Sequence, residues 1–152
     1  MAKLALQSVE LGAVELGAGE QWGGAAARVT HAELRDRQRL AALPVLAALD
    51  ELGRLTRAEV PMMCALVKTR LKVQRAECAR RERLDPFLTR PQALALLALR
   101  RPVDERLRED ICRWTPGRIA GDWTGYARES RAAQGALHDL LHAEQRWLAT
   151  QA

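Results

Sequence analysis

From residue 29 onwards, apolar residues recur at intervals of three and four, the spacing of helices that bury one face. The pattern predicts five helices, at about residues 31–53, 57–84, 90–100, 103–114 and 124–149. Pro102 separates the third helix from the fourth, and a loop containing Gly and Pro is predicted at 115–122. Because the connections are short, the expected fold is all-α, a compact bundle of about five largely antiparallel helices.

Three of these helices are expected to begin with a capping box. In this motif a threonine accepts a hydrogen bond from the third helical amide, and an acidic or amide side chain bonds back to the amide of the threonine. The pairs are Thr30 with Glu33, Thr56 with Glu59, and Thr89 with Gln92. Helix starts are therefore predicted near residues 30, 56 and 89.

The apolar positions also predict which face of each helix is buried. In the second helix, Met63, Val67 and Leu71 form a stripe at i, i+4 spacing, which we expect to face the core. The basic side chains of this helix would then point into solvent. The third helix is nearly all Ala and Leu, and we expect it to be the most buried element.

Residues 1–27 differ in composition from the rest of the chain. They contain a tandem pentapeptide, Val9–Ala13 repeated as Val14–Ala18, and several glycines, which oppose a stable helix. We interpret them as a loosely structured N-terminal arm, followed by a single helical domain at 28–152. Their apolar residues are too interrupted for a signal peptide, and no later run approaches a membrane span. We therefore expect a cytoplasmic protein without membrane contact.

No cofactor or metal site is predicted. The three cysteines lie far apart without a CxxC pair, which favours reduced thiols. His138 and His142 lie one helical turn apart, a spacing that lets two imidazoles face one metal. Asp139, however, stands where the similar zinc-protease motif has its glutamate, and no third ligand is marked. A metal-dependent enzyme at this pair is kept as an alternative, but the expectation is a non-enzymatic protein.

Charge is concentrated in one segment. The net charge is +5, and arginine dominates the basic residues, which a GC-rich genome would explain without any function. Position is more informative, because residues 68–83 alone carry the whole excess. Their basic residues are Lys68, Arg70, Lys72, Arg75, Arg80, Arg81 and Arg83. A basic stripe along one helix is typical of proteins that contact a nucleic-acid backbone without reading its sequence.

These features lead to a first hypothesis, a small helical subunit of a larger nucleoprotein assembly. Its nucleic-acid contacts would come from the seven basic residues above, helped by Arg113 and Arg118 near the predicted loop. Proteins of this size, charge and helicity include small subunits of CRISPR effector complexes and plasmid or phage proteins, although no motif is shared with them. The expected partners are nucleic acid and other protein subunits.

Other interpretations remain open at this point. The chain could be a protein-interaction module, such as a secretion chaperone or a phage assembly protein, whose basic helix faces an acidic partner. A helix-turn-helix formed by 94–101 and 103–114 is disfavoured, because its recognition helix carries as many acids as bases. Trp114, Trp123 and Tyr126 either stack on unpaired bases or close one end of the core.

Overall fold

The computed structural model describes residues 29–151, which form five α-helices and one short 3₁₀ turn. The helices are α1 (His31–Thr56), α2 (Met63–Leu84), α3 (Arg90–Arg113), α4 (Pro116–Gly121) and α5 (Trp123–Ala149), and the turn is Asp85–Phe87. No strand occurs in this part of the chain, so the predicted all-α fold is confirmed. The predicted arm at 1–27 lies outside the described residues.

Two of the three expected capping boxes are present. Thr30 and Thr89 each accept from the third helical amide, and Glu33 and Gln92 bond back to them. The third expectation is wrong: Thr56 is the last residue of α1, and its hydroxyl donates to carbonyls of that same helix. Helix α2 begins only after Pro61, because the residue before a proline avoids the helical conformation.

The second half of the chain also differs from expectation. Helix α3 continues through Pro102 as one rod of 24 residues instead of dividing into two helices. Pro102 and Ala98, whose carbonyl loses its helical donor, are both exposed, so water can take the place of the missing bond. The predicted loop contains α4, whose start is marked by Thr115 as N-cap and Pro116 at the first position.

The long helices pack in an antiparallel arrangement. Helix α1 packs against α2 and α5, and α3 packs against α5. Gln38 lies near Leu141, whereas Thr56 lies near Gln134, so α1 and α5 run in opposite directions. Side-chain ion pairs join α2 to α3, but the backbones of these two helices are not closely packed against each other. This spacing leaves a cleft between α2 and α3.

The buried faces of α2 and α3 are not the ones that the apolar pattern predicted. Val67 and Leu71 are exposed, and the inner face of α2 consists of Leu66, Thr69, Val73, Glu77, Arg80 and Leu84. The Ala- and Leu-rich start of α3 is not the most buried element, because Leu94, Leu97 and Leu99 are exposed. The inner face of α2 contains charged residues, so a search for apolar stripes cannot identify it.

The caps give a direct test of these helix starts. Thr30→Ala and Thr89→Ala should each lower the free energy of unfolding by about 1 kcal/mol, because each leaves a helical amide without its acceptor. Urea unfolding measures the change. Thr30→Ser and Thr89→Ser, which keep the hydroxyl, should stay close to wild type; equal losses for Ala and Ser would contradict the capping role.

Candidate functional site

The seven basic residues predicted on α2 separate into two groups. Arg70, Arg80 and Arg81 turn towards the other helices, whereas the remaining four point into solvent. The expectation of one outward-facing stripe is therefore corrected for the first three. The reason is that the inner face of α2 is turned away from the Met63–Leu71 stripe and includes charged positions.

Arg80 lies in the interior of the bundle. Its side chain is fully buried and donates to the carboxylate of Glu77 at 2.7 and 2.6 Å and to Glu144 on α5. Burial by itself lowers the pKa of Arg80, but the hydrogen bonds to Glu77 and Glu144 more than offset this, and the pKa lies above its ordinary value. Arg80 therefore stays charged and has no surface with which to reach a phosphate.

Glu144 is the acceptor at the centre of this network. It is completely buried, and it accepts from Arg80 on α2, from Arg100 on α3 at 2.5 Å and from Gln38 on α1 at 3.4 Å. Arg100 also donates to Asp85 at 2.9 Å. All four long helices thus contribute to one buried polar layer, which we define as Gln38, Glu77, Arg80, Arg100 and Glu144.

The polar layer lies between two apolar clusters. The smaller cluster contains Leu34, Leu84, Leu88, Leu96 and Leu148. The larger one includes Val45, Leu52, Leu66, Tyr126 and Leu137. Along each long helix, the layer residues come between members or close neighbours of the two clusters. Sequence reasoning missed this layer, because the pairs that join different helices, such as Arg80 with Glu144, are far apart in the chain.

Arg70 and Arg81 connect α2 to α3. Arg81 donates twice to Asp104, at 2.9 and 2.7 Å, and once to Glu77 at 2.9 Å. Arg70 donates to the carbonyl of Trp114 at 2.8 Å, and its second terminal nitrogen lies 3.9 Å from Asp110. Both side chains are mostly buried, with 13% of Arg70 and 22% of Arg81 exposed. They bridge α2 and α3 and are not accessible to a nucleic-acid backbone.

The outward group, Lys68, Lys72, Arg75 and Arg83, forms what we call the basic row. All four are exposed. At 3.6 residues per turn, their positions fall within roughly 80° of one another around α2. Lys72 lies 3.2 Å from Glu51, and in the described part of the chain the other three have no carboxylate within ion-pair distance. Glu82 is the acidic residue beside this row.

Arg113 and Arg118 lie together at the junction of α3 and α4. Both are exposed; Arg113 pairs with Glu129 at 3.2 Å, and Arg118 donates to the carbonyl of Arg113 at 3.1 Å. Nearby, Trp114 and Tyr126 are buried with their rings in contact. Of the two interpretations offered for these aromatic residues, closing one end of the core is confirmed.

The histidine pair does not gather a metal site. The rings of His138 and His142 lie 5.4 Å apart, as the spacing predicts. Within residues 29–151, however, no group of three or more His, Cys, Asp or Glu side chains is arranged to hold a metal ion. The three cysteines are exposed and free.

The cleft between α2 and α3 has a volume of about 370 Å³. Apolar atoms make up most of its wall, which includes leucine, valine, isoleucine and alanine side chains and Tyr126. Tyr126 and Arg70 both line the cleft, and in the described part of the chain the hydroxyl of Tyr126 and one terminal nitrogen of Arg70 are buried without a hydrogen-bond partner. Burial raises the pKa of the Tyr126 hydroxyl, so this group stays protonated near neutral pH.

Comparison with known proteins adds no relative. No family model matches the chain, and neither a curated protein nor a solved structure matches it. None of the helices between residues 29 and 151 has the length and apolar character that crossing a bilayer requires. Function is therefore argued from the residues of this chain.

The polar layer predicts a large effect of one isosteric substitution. Glu144→Gln should lower the free energy of unfolding by about 3–5 kcal/mol, because it removes the charge that neutralises two buried guanidinium groups. Denaturant unfolding followed by circular dichroism measures this loss. Glu82→Gln, on the exposed side of α2, is the matched control and should change stability by less than about 0.5 kcal/mol. Equal effects of the two substitutions would contradict the layer's role.

Proposed function

We propose that the chain is a small, non-enzymatic helical subunit of a nucleoprotein assembly, for example a CRISPR effector complex or a plasmid or phage particle. In this role the basic row contacts the nucleic-acid backbone. The main support is the basic row, which places four exposed cations on one side of α2. Of these, only Lys72 has a carboxylate partner in the described residues. Arg118, exposed on α4, is a candidate for a further contact.

The internal ion pairs support a positive exterior. They join four guanidinium groups to five carboxylates, which are Arg70, Arg80, Arg81 and Arg100 with Glu77, Asp85, Asp104, Asp110 and Glu144. The internal ion pairs therefore contain no excess of positive charge. The excess of basic residues lies on exposed side chains, where it attracts polyanions.

The length of the row suits a phosphate backbone. Lys68 and Arg83 are fifteen positions apart, so the row extends over about 22 Å at 1.5 Å per residue. This distance covers several phosphates of one strand. Mobile lysine and arginine side chains at such positions neutralise phosphates without requiring a particular base sequence. The proposed contact is therefore independent of sequence.

A second candidate function is a protein-interaction module. Two pairs of large apolar side chains, each one helical turn apart, are among those exposed: Leu40 and Leu43 on α1, at 60% and 55% exposure, and Leu94 and Leu97 on α3, at 58% and 49%. Exposed apolar residues in groups favour contact with another protein. They fit a subunit that joins an assembly, whether or not that assembly contains nucleic acid.

A salt series tests the first candidate. With four phosphate contacts, the logarithm of the association constant should fall with the logarithm of salt concentration with a slope of about −3 on single strands and −4 on duplex. Charge reversal of the whole row, K68E/K72E/R75E/R83E, should abolish binding at low salt. Fluorescence anisotropy with labelled RNA and DNA oligonucleotides measures both effects.

The matched control reverses four exposed arginines outside the row, R35E/R101E/R128E/R146E, which changes the net charge by the same amount. Those residues are exposed and have no ion pair in the described part of the chain. Retained binding in the control and loss in the row variant would support the basic row. Equal losses would show that net charge alone acts, and the absence of any wild-type binding at low salt would favour the second candidate.

A further inference from the structure

Two residues that line the cleft between α2 and α3 have buried donors without a hydrogen-bond partner within residues 29–151. Tyr126 is completely buried and its hydroxyl makes no hydrogen bond there, and the Arg70 nitrogen that lies 3.9 Å from Asp110 makes none either. A buried polar group without a hydrogen bond costs about 1–3 kcal/mol. Buried atoms of Gln38, Asp85 and Arg100 also lack a hydrogen bond, but Tyr126 and Arg70 line one and the same cavity, which indicates that a molecule in this cavity can pair with both.

The other residues that line the cleft indicate the chemistry of the rest of the ligand. Leu52, Val73, Leu107, Ile111 and Leu137 are among the apolar side chains that line the cleft. A volume of about 370 Å³ lies within the range of pockets that hold small organic ligands, roughly 300–1,000 Å³. The occupant is therefore mostly apolar, with an acceptor directed at the two donors.

The charges around the cleft argue against an ionic ligand. Three bases and three acids line it, namely Arg70, Arg81, Arg108, Glu77, Asp104 and Asp110. Arg81 is already satisfied by Glu77 and Asp104, and Asp110 lies 3.9 Å from Arg70. An anion would approach Asp110, whereas a cation would approach Arg70, and in either case the charge would lose its hydration.

We propose that this cleft binds a small, uncharged, mostly apolar molecule whose carbonyl-type oxygen accepts hydrogen bonds from the Tyr126 hydroxyl and from the Arg70 nitrogen that faces Asp110 at 3.9 Å. This inference is independent of nucleic-acid binding, since the basic row lies on another side of α2. Ile111 lines the cleft and is 43% exposed, so the cleft is in contact with solvent at this residue.

A matched set of probes tests the ligand class. Benzylacetone carries a neutral ketone, butylbenzene has no acceptor, phenylbutyrate is an anion and phenylbutylamine is a cation. In titration calorimetry on the full chain, benzylacetone should bind about tenfold more tightly than each of the other three. The proposal would be overturned if benzylacetone did not bind saturably, or if one of the ions bound as tightly as the ketone. Water as the natural partner predicts the first of these results.

Tyr126→Phe separates a ligand-binding tyrosine from a structural one. The substitution removes the unpartnered hydroxyl and keeps the ring, so the ligand-free protein should melt about 2–4 °C higher. The same variant should bind benzylacetone about tenfold more weakly. A lower melting temperature together with unchanged affinity would overturn the assignment.

Blocking the entrance gives a second, independent measurement. Ile111→Trp should fill the mouth of the cleft and reduce benzylacetone affinity at least tenfold, because the larger side chain occupies the ligand's path. Leu94→Trp is the control, since it places the same side chain at an exposed position on the same helix that does not line the cleft. Equal affinities of the two variants would place the binding elsewhere and overturn the proposal.

Discussion

The fold depends on the burial of one carboxylate, that of Glu144, between the guanidinium groups of Arg80 and Arg100. A charge in the interior is tolerated only when it is paired and hydrogen-bonded, so each of these groups requires the others. Because they come from three different helices, the pairing fixes how α2, α3 and α5 are rotated and how far each slides along its neighbours. Apolar packing above and below the layer is less demanding, since leucines accommodate one another in several ways.

The rotation of α2 imposed by this layer determines both candidate sites. With Arg80 turned inwards, Arg70 and Arg81 reach across to α3, and Lys68, Lys72, Arg75 and Arg83 remain outside. Long arginine side chains between α2 and α3 also keep those helices apart, which opens the cleft above Tyr126. The surface proposed for nucleic acid and the cavity proposed for a small molecule therefore have a common physical origin.

Local signals allowed the helix starts at Thr30 and Thr89 to be predicted, because capping depends on neighbours within one turn. Thr56 shows the limit of such signals. The same motif occurs at residues 56–59, but Pro61 follows it, and α1 ends at Thr56 while α2 begins only at Met63. Which face of α2 is buried could not be predicted, because its apolar stripe is exposed and its buried face contains Glu77 and Arg80. Glu144, which accepts from Arg80, is 64 positions away from it, and nothing in the sequence marks the pair.

The polar layer also restricts how this sequence can change over generations. Loss of Glu144, Arg80 or Arg100 alone leaves an uncompensated ion inside the bundle, so each first step towards an apolar layer is unfavourable even if the final state is stable. Viable lineages would exchange these residues together, as a set. The exposed cations of α2 face no such barrier, and lysine and arginine can replace one another there in single steps.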